Sequence, residues 1–416
     1  MRFAFSRFRR IWVLSVCLLV VSTSTSTAEE KEIVLGMSAA FGGPSRGLGI
    51  ELYRGSMAYF DHVNSQGGIH GRKIVLKTYD DNYDPDPAIE NTIQLVEKDK
   101  VFLLYGYVGT PTVTRALPLL RRAKDQSAFL FFPFTGAEPH RRAPYRDYVF
   151  NLRASYRQEA KGLVDHFVAV GRKRIAMFYQ IDAYGRCGWE GTRDALSKYG
   201  LSIAAEATYR RGAKFTESMN AQVDLLRQAN PDAIISVGAY AGCAAFVRDA
   251  RDAGWDVPIA NVSFVGSESL LNLLVKLGKE QGRDYTANLI NSQVVPSYED
   301  TSIPAVRQYL EFMDRYQPKV PANFAQTDYQ PLPRSFVSFE GFLDAKLLVE
   351  ILTKMGPDLK REKIKEAAES VRNFDLGILD LVSLAPDRHQ ALDRVYFTVV
   401  HNEKFVPLVD WSPWQK

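Results

Sequence analysis

Short, unbroken apolar runs recur along this chain and constrain its fold more than any other feature. Five of them stand out: IVLGM (33–37), VFLLYGY (101–107), AFLFFPF (128–134), RIAMFY (174–179) and AIISVGAY (233–240). None alternates strictly with polar residues, which is typical of strands buried on both faces of a parallel sheet. Segments with helical spacing, such as TVTRALPLLRRAK and RQEAKGLVDHFVAV, lie between the runs. This alternation predicts an α/β protein with parallel sheets.

The alternating pattern falls into two similar halves. Strand–helix units fill about 31–150, and a second series fills about 151–290. A proline-rich stretch (317–333) then precedes SFVSFEGFLDAKLLVEIL, which predicts a long helix. The C-terminal RVYFTVVHNEKFVPLVDW predicts a hairpin that turns at Asn402 and Glu403. A chain of 416 residues can bury large cores, and two domains are expected.

The most acidic stretch, GGIHGRKIVLKTYDDNYDP (67–85), could be a metal site, a pair of catalytic carboxylates or the end of a strand. A calcium loop that starts at Asp80 would need a turn glycine where this chain has Pro85, and it also lacks the final Glu. We therefore interpret KIVLKTYD as a strand that ends in an acidic turn. Asp84 or Asp86, each followed by proline, is expected to cap the next helix.

The first 28 residues have the three-part layout of a secretory signal. Four Arg precede the 11-residue apolar core IWVLSVCLLVV, and STSTSTA ends in the small residue Ala28. Eleven apolar residues are too few to cross about 30 Å of hydrocarbon as a helix. Cys17 lacks the small preceding residue that lipid attachment needs. We therefore expect cleavage near Ala28 and export to the periplasm.

Removal of this segment leaves a chain of near-zero net charge. It holds four of the 52 basic residues and none of the 48 acidic residues, so 48 of each sign remain. No global basic field then favours nucleic acid as a partner. Cys187 and Cys243 also remain, in a compartment where disulfides persist. They could form a disulfide or stay as two buried free thiols.

Several longer motifs follow one another in a recognisable order. The first is IVLGMSAAFGGPSRGLGIELYRGSMAYFDHVNSQGGIHGRKIVLKTYDDNYDP, and it is followed by LYGYVGTPTV, FFPFTGAEP, IDAYGRCGWEG and SFEGFLDAKLLVEIL. Each piece alone is a weak signal, but together they span nearly all of the chain after the signal. In this order they resemble the solute-binding proteins of ABC importers, of the leucine/isoleucine/valine-binding type with the type I periplasmic fold.

This resemblance implies two doubly wound parallel-sheet lobes that are joined by a three-segment hinge and close around ligand. Lobe one would comprise 31–150 plus 295–383, and lobe two would comprise 151–294 plus 384–416. The implied function is capture of a small solute, a branched-chain amino acid or a related small carboxylate or amide. A monomeric chain would deliver this solute to an ABC permease in the inner membrane. The alternative is a periplasmic ligand-sensing subunit with the same fold.

The ligand site is expected at the carboxyl ends of the strands, where connecting loops converge. The resemblance implies Thr110 as the hydroxyl ligand of a carboxylate, with Thr135, Gly136 and Ala137 as a clamp of hydroxyl and backbone groups. Helix amino termini and free backbone N–H groups there can hold a carboxylate without a full positive charge. The alternative role for Thr110 is that of a helix cap before Pro111.

Aromatic and apolar residues are expected to complete the site. From lobe two, the resemblance implies Tyr184 as the ring that closes over the ligand and Tyr240 at a later turn. A tyrosine supplies apolar area plus a hydroxyl, as small-molecule pockets need, and ordinary packing between lobes is the alternative. Four further residues are expected to be pocket walls or plain core: Leu48, Tyr107, Val108 and Phe134.

One departure from the family bears on the ligand. Members that bind amino acids usually carry an acidic residue after the strand near 259–265, where it meets the ligand's ammonium. The aligned residues here are Phe264–Val265–Gly266, while Glu268 comes late and Asp182 lies in a neighbouring loop. If neither acid reaches the cleft, a buried ammonium would cost several kcal/mol. A carboxylate or amide without an amine, including an aromatic acid, would then fit better.

Motifs for catalysis or metal binding do not emerge. The sequence contains neither H-E-x-x-H nor the G-x-x-x-x-G-K-[ST] phosphate loop, and its six His are scattered without metal spacing. A binding protein with no catalytic residues, metal or cofactor is therefore expected. A hydrolase that had borrowed the fold would need a nucleophile–base pair in the cleft.

Overall fold

A computed structural model of the chain describes residue 1 and residues 32–123, 128–325 and 329–416. Apart from Met1, the signal predicted over residues 1–28 lies outside the described residues. Among the helices that are described, none is both long enough and apolar enough to cross a membrane.

The described residues alternate between strands and helices. The strands are β1 (Ile33–Ala39), β2 (Ile74–Asp80), β3 (Leu103–Tyr105), β4 (Leu130–Phe131), β5 (Val149–Phe150), β6 (Ile175–Gln180), β7 (Glu206–Tyr209), β8 (Ala233–Val237), β9 (Ile259–Asn261), β10 (Leu289–Gln293), β11 (Phe374–Asp375), β12 (Leu381–Val382), β13 (Tyr396–His401) and β14 (Lys404–Pro407). The helices are α1 (Arg46–Ser65), α2 (Pro85–Ile93), α3 (Thr110–Arg122), α4 (Tyr156–Ala169), α5 (Ala183–Ser197), α6 (Asn220–Gln228), α7 (Tyr240–Asp252), α8 (Ser267–Gln281), α9 (Pro304–Tyr316), α10 (Phe336–Lys354) and α11 (Ile364–Glu369).

Two large sheets form the centres of two lobes. The first has the order β2-β1-β3-β4-β5 and is parallel throughout. The second has the order β14-β13-β10-β9-β8-β6-β7, in which only β13 and β14 run antiparallel to their neighbours. The α/β prediction is confirmed. Strands of the first sheet lie within 33–150 and those of the second within 175–407, and the exact lobe boundaries stay a prediction.

Local signals in the sequence account for several of these elements. Asp84 caps α2, because its carboxylate accepts a hydrogen bond from the Asp86 backbone N–H at 3.1 Å. The C-terminal hairpin turns at Asn402 and Glu403, with left-handed φ angles of 49° and 59°. Two successive residues with positive φ make the tight turn that matches the twist of paired strands. Both predictions are confirmed.

Helices α1 and α10 approach each other closely through glycines. A Cβ atom on Gly55 would lie 1.7 Å from the Ser338 carbonyl oxygen, and one on Gly341 would lie 2.3 Å from the Leu52 carbonyl oxygen. No side chain fits at such distances, so glycine is required at both positions. This contact fixes α1, whose first turn enters the cleft between the lobes.

The two cysteines of the described chain are free thiols. Cys187 on α5 and Cys243 on α7 are both buried, and neither forms a disulfide. Of the two alternatives left open by the sequence, the disulfide is therefore not formed, and the structure has two buried free thiols. Burial raises the pKa of Cys187 to about 11, so its thiol stays protonated and unreactive at neutral pH.

Candidate ligand-binding site

Two buried threonine hydroxyls of the first lobe lie side by side. The Oγ1 atoms of Thr110 and Thr135 are 2.7 Å apart, and Thr135 Oγ1 also accepts the Ala137 N–H at 3.3 Å. Thr110 is the first residue of α3, and Gly109 occupies its cap position with φ +103°. The helix-cap alternative for Thr110 is wrong, because its hydroxyl pairs with Thr135 instead. Both hydroxyls lie at the positive end of α3.

Tyr156 begins α4 and lies against the same threonines. Its backbone N–H donates to the Gly136 carbonyl at 2.8 Å, and a Cβ on Gly136 would lie 2.7 Å from the Tyr156 ring. The Tyr156 hydroxyl is buried beside the side chains of Thr135 and Thr110. Burial raises its pKa to about 12, against the opposing effect of Arg153, so the hydroxyl remains a donor. Sequence reasoning missed this residue.

Aromatic rings from the second lobe meet those of the first at this point. The Tyr184 ring lies 5.0 Å from that of Tyr156 and 4.7 Å from that of Phe264. Phe264 in turn lies 5.2 Å from Phe134. These are favourable distances for tilted aromatic pairs. Tyr156 therefore links the two threonines to the rings of Tyr184 and Phe264.

Leu48 and Tyr240 meet across the lobes further out. The Tyr240 hydroxyl, at the start of α7, accepts the Gly47 N–H at 3.2 Å. Gly266 lies between them, since a Cβ there would be 2.7 Å from Leu48 Cδ2 and 3.5 Å from Tyr240 Cδ1. Leu48 and Tyr240 thus lie together at a contact between the lobes.

The last two predicted wall residues point in opposite directions. Val108 forms a bridge with Phe134 and belongs to the same core as the site. Tyr107 instead lies in a separate core with α2 and α3, and its hydroxyl is 3.1 Å from that of Thr92. Successive residues of an extended chain face opposite sides. The structure therefore brings Val108 to the site but not Tyr107.

The acidic turn after β2 does more than cap a helix. The Tyr83 hydroxyl accepts the Gln180 Nε2–H at 3.2 Å, and the Tyr83 ring lies 5.8 Å from that of Phe264. Arg211 lies between carboxylates of the two lobes, 3.5 Å from Asp84 and 3.4 Å from Asp182. We interpreted this turn only as the end of a strand. The structure also makes it a contact between the lobes.

Asp182 is fully engaged as the cap of α5. Its carboxylate accepts the N–H groups of Tyr184 at 2.9 Å and Gly185 at 3.4 Å, and the Gln180 amide at 2.6 Å. Burial raises its pKa, and these hydrogen bonds and Arg211 oppose the rise. The groups that surround this carboxylate turn it toward the backbone of its own helix.

A second acid, Glu159, holds the segment that carries Phe264. Its carboxylate accepts the Ser263 N–H at 2.7 Å, the Ser263 hydroxyl at 3.0 Å and the Ser292 hydroxyl at 2.6 Å. Glu159 is completely buried. With three hydrogen bonds in place, it fixes the position of the Phe264 ring rather than facing a ligand.

Glu268, the third acid near the cleft, turns toward the first lobe. It accepts the Phe336 N–H at 3.2 Å and interacts with the Tyr298 hydroxyl. Burial raises its pKa from 4.5 to about 7. The folded protein therefore keeps a proton that the unfolded chain releases, so Glu268 lowers stability as pH rises from about 4.5 to about 7.

Replacing Glu268 by Gln should remove this pH dependence. We expect the Glu268→Gln variant to gain up to about 3 kcal/mol relative to wild type between pH 4.5 and pH 8, because Gln cannot ionise. Urea unfolding across that range measures the difference, with the exposed Glu366→Gln as control. A difference in unfolding free energy that is the same at both pH values would contradict the burial argument.

Neither a metal cluster nor a catalytic pair emerges from the described residues. No group of three His, Cys, Asp or Glu side chains there could hold a metal ion. Residues 43–47 read GPSRG and fit a G-x-S-x-G pattern, with Ser45 as the residue before α1. No histidine in the described part of the chain hydrogen-bonds to Ser45, so the pattern lacks its base.

Comparison with known proteins places this geometry in a family. Residues 32–404 match the family model described as periplasmic binding protein. The chain belongs to this family. A crystal structure of a possible leucine/isoleucine/valine-binding protein from Rhodopirellula baltica is 30% identical to it. That likeness has a TM-score of 0.80 and covers 94% of this chain and 99% of that one.

Two relatives agree with this membership. The Leu/Ile/Val-binding protein homolog 7 of Brucella melitensis is 23% identical over 361 residues, which cover 83% of this chain and 82% of that protein. An amino acid binding protein of Pseudomonas aeruginosa is 24% identical over 251 residues, which cover 59% of this chain and 65% of that relative. The resemblance to the leucine/isoleucine/valine-binding type and its two-lobed type I fold is confirmed. This periplasmic binding protein is thus a solute-binding protein.

Proposed function

We propose that this binding protein captures a small carboxylate that lacks an amine and delivers it to an ABC importer. Four helices begin at the site, with their first residues at Thr110 (α3), Tyr156 (α4), Ala183 (α5) and Tyr240 (α7). The amino end of a helix carries a partial positive charge and free N–H groups. Such ends favour an anion and disfavour a cation. Thr110, Thr135 and Tyr156 add hydroxyl donors.

The position of Phe264 carries the proposal. It stands where amino-acid-binding members are expected to place the acid for the ammonium, and its ring packs on Tyr184 and Phe134. The nearby acids Asp182 and Glu159 are held by other hydrogen bonds. An ammonium buried here would lack a counter-charge and would cost several kcal/mol. An apolar or aromatic body fits these rings better.

A thermal-shift experiment with matched ligands tests the proposal. The pairs are leucine against 4-methylpentanoate and phenylalanine against 3-phenylpropanoate, which differ only by the amine. At 100 times its dissociation constant, a ligand adds about 2.7 kcal/mol to stability. We expect the amine-free member of at least one pair to raise the melting temperature by several degrees, and its amino acid to raise it less.

Two outcomes would contradict this assignment. Stabilisation by leucine or phenylalanine alone would mean that an acid such as Glu268 reaches the ammonium after all. No shift with any of the four compounds would mean that the threonine site does not take a small carboxylate. The non-amino methyl esters serve as controls, since they keep the apolar body but carry no charge.

The proposal includes the cellular setting. The chain would act after export and cleavage near Ala28, as a monomer, and would release its ligand chemically unchanged to the permease. Recovery of the bound compound after denaturation, followed by NMR, would identify any chemical turnover.

A further inference from the structure

A cavity, which we call the outer cleft, opens between the lobes beside Tyr240. Its volume is about 520 Å³, within the range of about 300–1,000 Å³ that small-molecule sites occupy. The first lobe contributes the loop before α1 and a segment around Gln330. The second lobe contributes Lys214, Phe215 and one face of α8. Both lobes are therefore needed to form it.

The charges that line the outer cleft have one sign. Its cationic side chains are Arg46, Lys214 and Lys276, and none of the described residues that line it is acidic. Lys214 and Lys276 are exposed, and within the described chain neither forms an ion pair. Arg46 is the first residue of α1, where the helix adds its own positive end. The rim of the cleft therefore attracts an anion.

The floor of the outer cleft is apolar and aromatic. Phe215, Leu273, Tyr240 and Tyr329 line it, and Ser269 supplies a hydroxyl. Phe215 is half-buried, and Tyr240 is almost completely buried. An occupant thus needs an apolar body beside its charge, which inorganic anions lack.

The outer cleft adjoins the threonine site through the segment that replaces the family's acid. Tyr240 lines the cleft and faces Gly266, two residues after Phe264 of the threonine site. Gly266 has φ +77°, and a side chain there would meet Leu48. Gly266 therefore lets Leu48 and Tyr240 approach each other between the outer cleft and Phe264.

We propose that the outer cleft receives the far end of the ligand and that this end carries a second anionic group. The ligand class is then a small dicarboxylate with an apolar middle, with one carboxylate at Thr110 and Thr135 and the other near Lys214 and Lys276. This inference rests on the proposed function, because it requires the first carboxylate to bind at the threonines.

Matched mono- and dicarboxylates of equal chain length test the inference. The probes are hexanoate with hexanedioate and octanoate with octanedioate, titrated calorimetrically at low and at physiological salt. For at least one pair, the dicarboxylate should bind about tenfold more tightly than the monocarboxylate, and salt should reduce this ratio. In Lys214→Met/Lys276→Met the ratio should fall to about one while monocarboxylate binding stays unchanged. The control Lys198→Met/Lys354→Met removes two exposed lysines outside the cleft and should keep the ratio.

The outcomes separate the two proposals. A dicarboxylate that binds no better than its monocarboxylate, or an advantage that survives in Lys214→Met/Lys276→Met, overturns the dicarboxylate inference and leaves the amine-free carboxylate in place. Failure of all four probes in a protein that binds leucine overturns both. Loss of monocarboxylate binding in the double variant would also overturn the inference, since the lysines would then act at the first carboxylate.

Discussion

Replacing Thr110 and Thr135 together by Val is expected to raise the dissociation constant of the bound carboxylate about 100-fold or more. Each hydroxyl would donate a charge-assisted hydrogen bond, worth about 1.5–3 kcal/mol, and Val keeps the shape of Thr. The two hydroxyls bond to each other at 2.7 Å, so the double change leaves neither hydroxyl unpaired, but it removes the acceptor of the buried Ala137 N–H. The free energy of unfolding should therefore fall by about 1–3 kcal/mol, while the protein still folds. Calorimetric titration with the strongest compound of the thermal-shift series measures the effect.

Thr112→Val is the matched control for this pair. Thr112 is also completely buried and lies on the same helix, but its hydroxyl donates to the backbone carbonyls of Val108 and Gly109. Its loss should cost some stability and leave ligand affinity within a few-fold of wild type. If the Thr110→Val/Thr135→Val protein bound the carboxylate with wild-type affinity, the two threonines would not be part of the ligand site.

Replacing Arg153 by Met is expected to lower the free energy of unfolding by about 3–5 kcal/mol. Its guanidinium lies 3.4 Å from the Glu340 carboxylate, donates to the Ser263 hydroxyl and lies over the Phe134 ring at 4.5 Å. Arg153 and Glu340 are buried, so the change leaves a buried carboxylate without its cation. Breaking a buried ion pair on one side costs about this much. Urea unfolding at pH 8 measures it.

The decrease in the free energy of unfolding caused by Arg153→Met should depend on pH, and a second substitution should partly restore it. Burial raises the pKa of Glu340, and Arg153 opposes that rise. At pH 5 Glu340 is protonated with or without Arg153, so the missing cation matters less there than at pH 8, where Arg153 favours ionisation. Adding Glu340→Gln to the Arg153→Met protein should recover part of the loss at pH 8. If Arg153→Met lowered the free energy of unfolding equally at both pH values, and Glu340→Gln restored none of it, the whole decrease would be due to lost packing.

Much of the fold could be predicted because the strands are buried on both faces. Three apolar runs could be identified as strands without knowing which strands pair with them: 33–37, 174–179 and 233–240. Strands β1, β6 and β8 cover most of these residues. The run 128–134 shortens to β4 because Phe132 adopts a left-handed φ of 52° and turns the chain. A backbone turn inside an apolar run does not change the hydrophobicity pattern, so the pattern could not predict it.

The site was only partly predictable, because several of its members come from distant segments. Thr110, Thr135 and Tyr184 could be carried over from the resemblance, and the structure brings them together. Tyr156 was missed although Ser155 and Gln158 form a capping box that marks a helix start just after β5. Tyr107 lies in the core with α2 and α3, which was the alternative to a pocket wall, because it faces the opposite side of the sheet from Val108. Two things are determined only in the folded sheet: which distant segments lie close together, and which side of the sheet each residue faces.

The contacts between the lobes have a kinetic consequence. Three contacts join the lobes around the threonines: Tyr83 with Gln180, Asp84 with Arg211, and Gly47 with Tyr240. If the solute binds at the threonines as proposed, it would have to pass these contacts and would enter only after the lobes separate. The rate of separation would then set an upper limit on the rate of uptake that a higher solute concentration could not raise. The same contacts, once reformed, would lengthen the residence time of the bound solute.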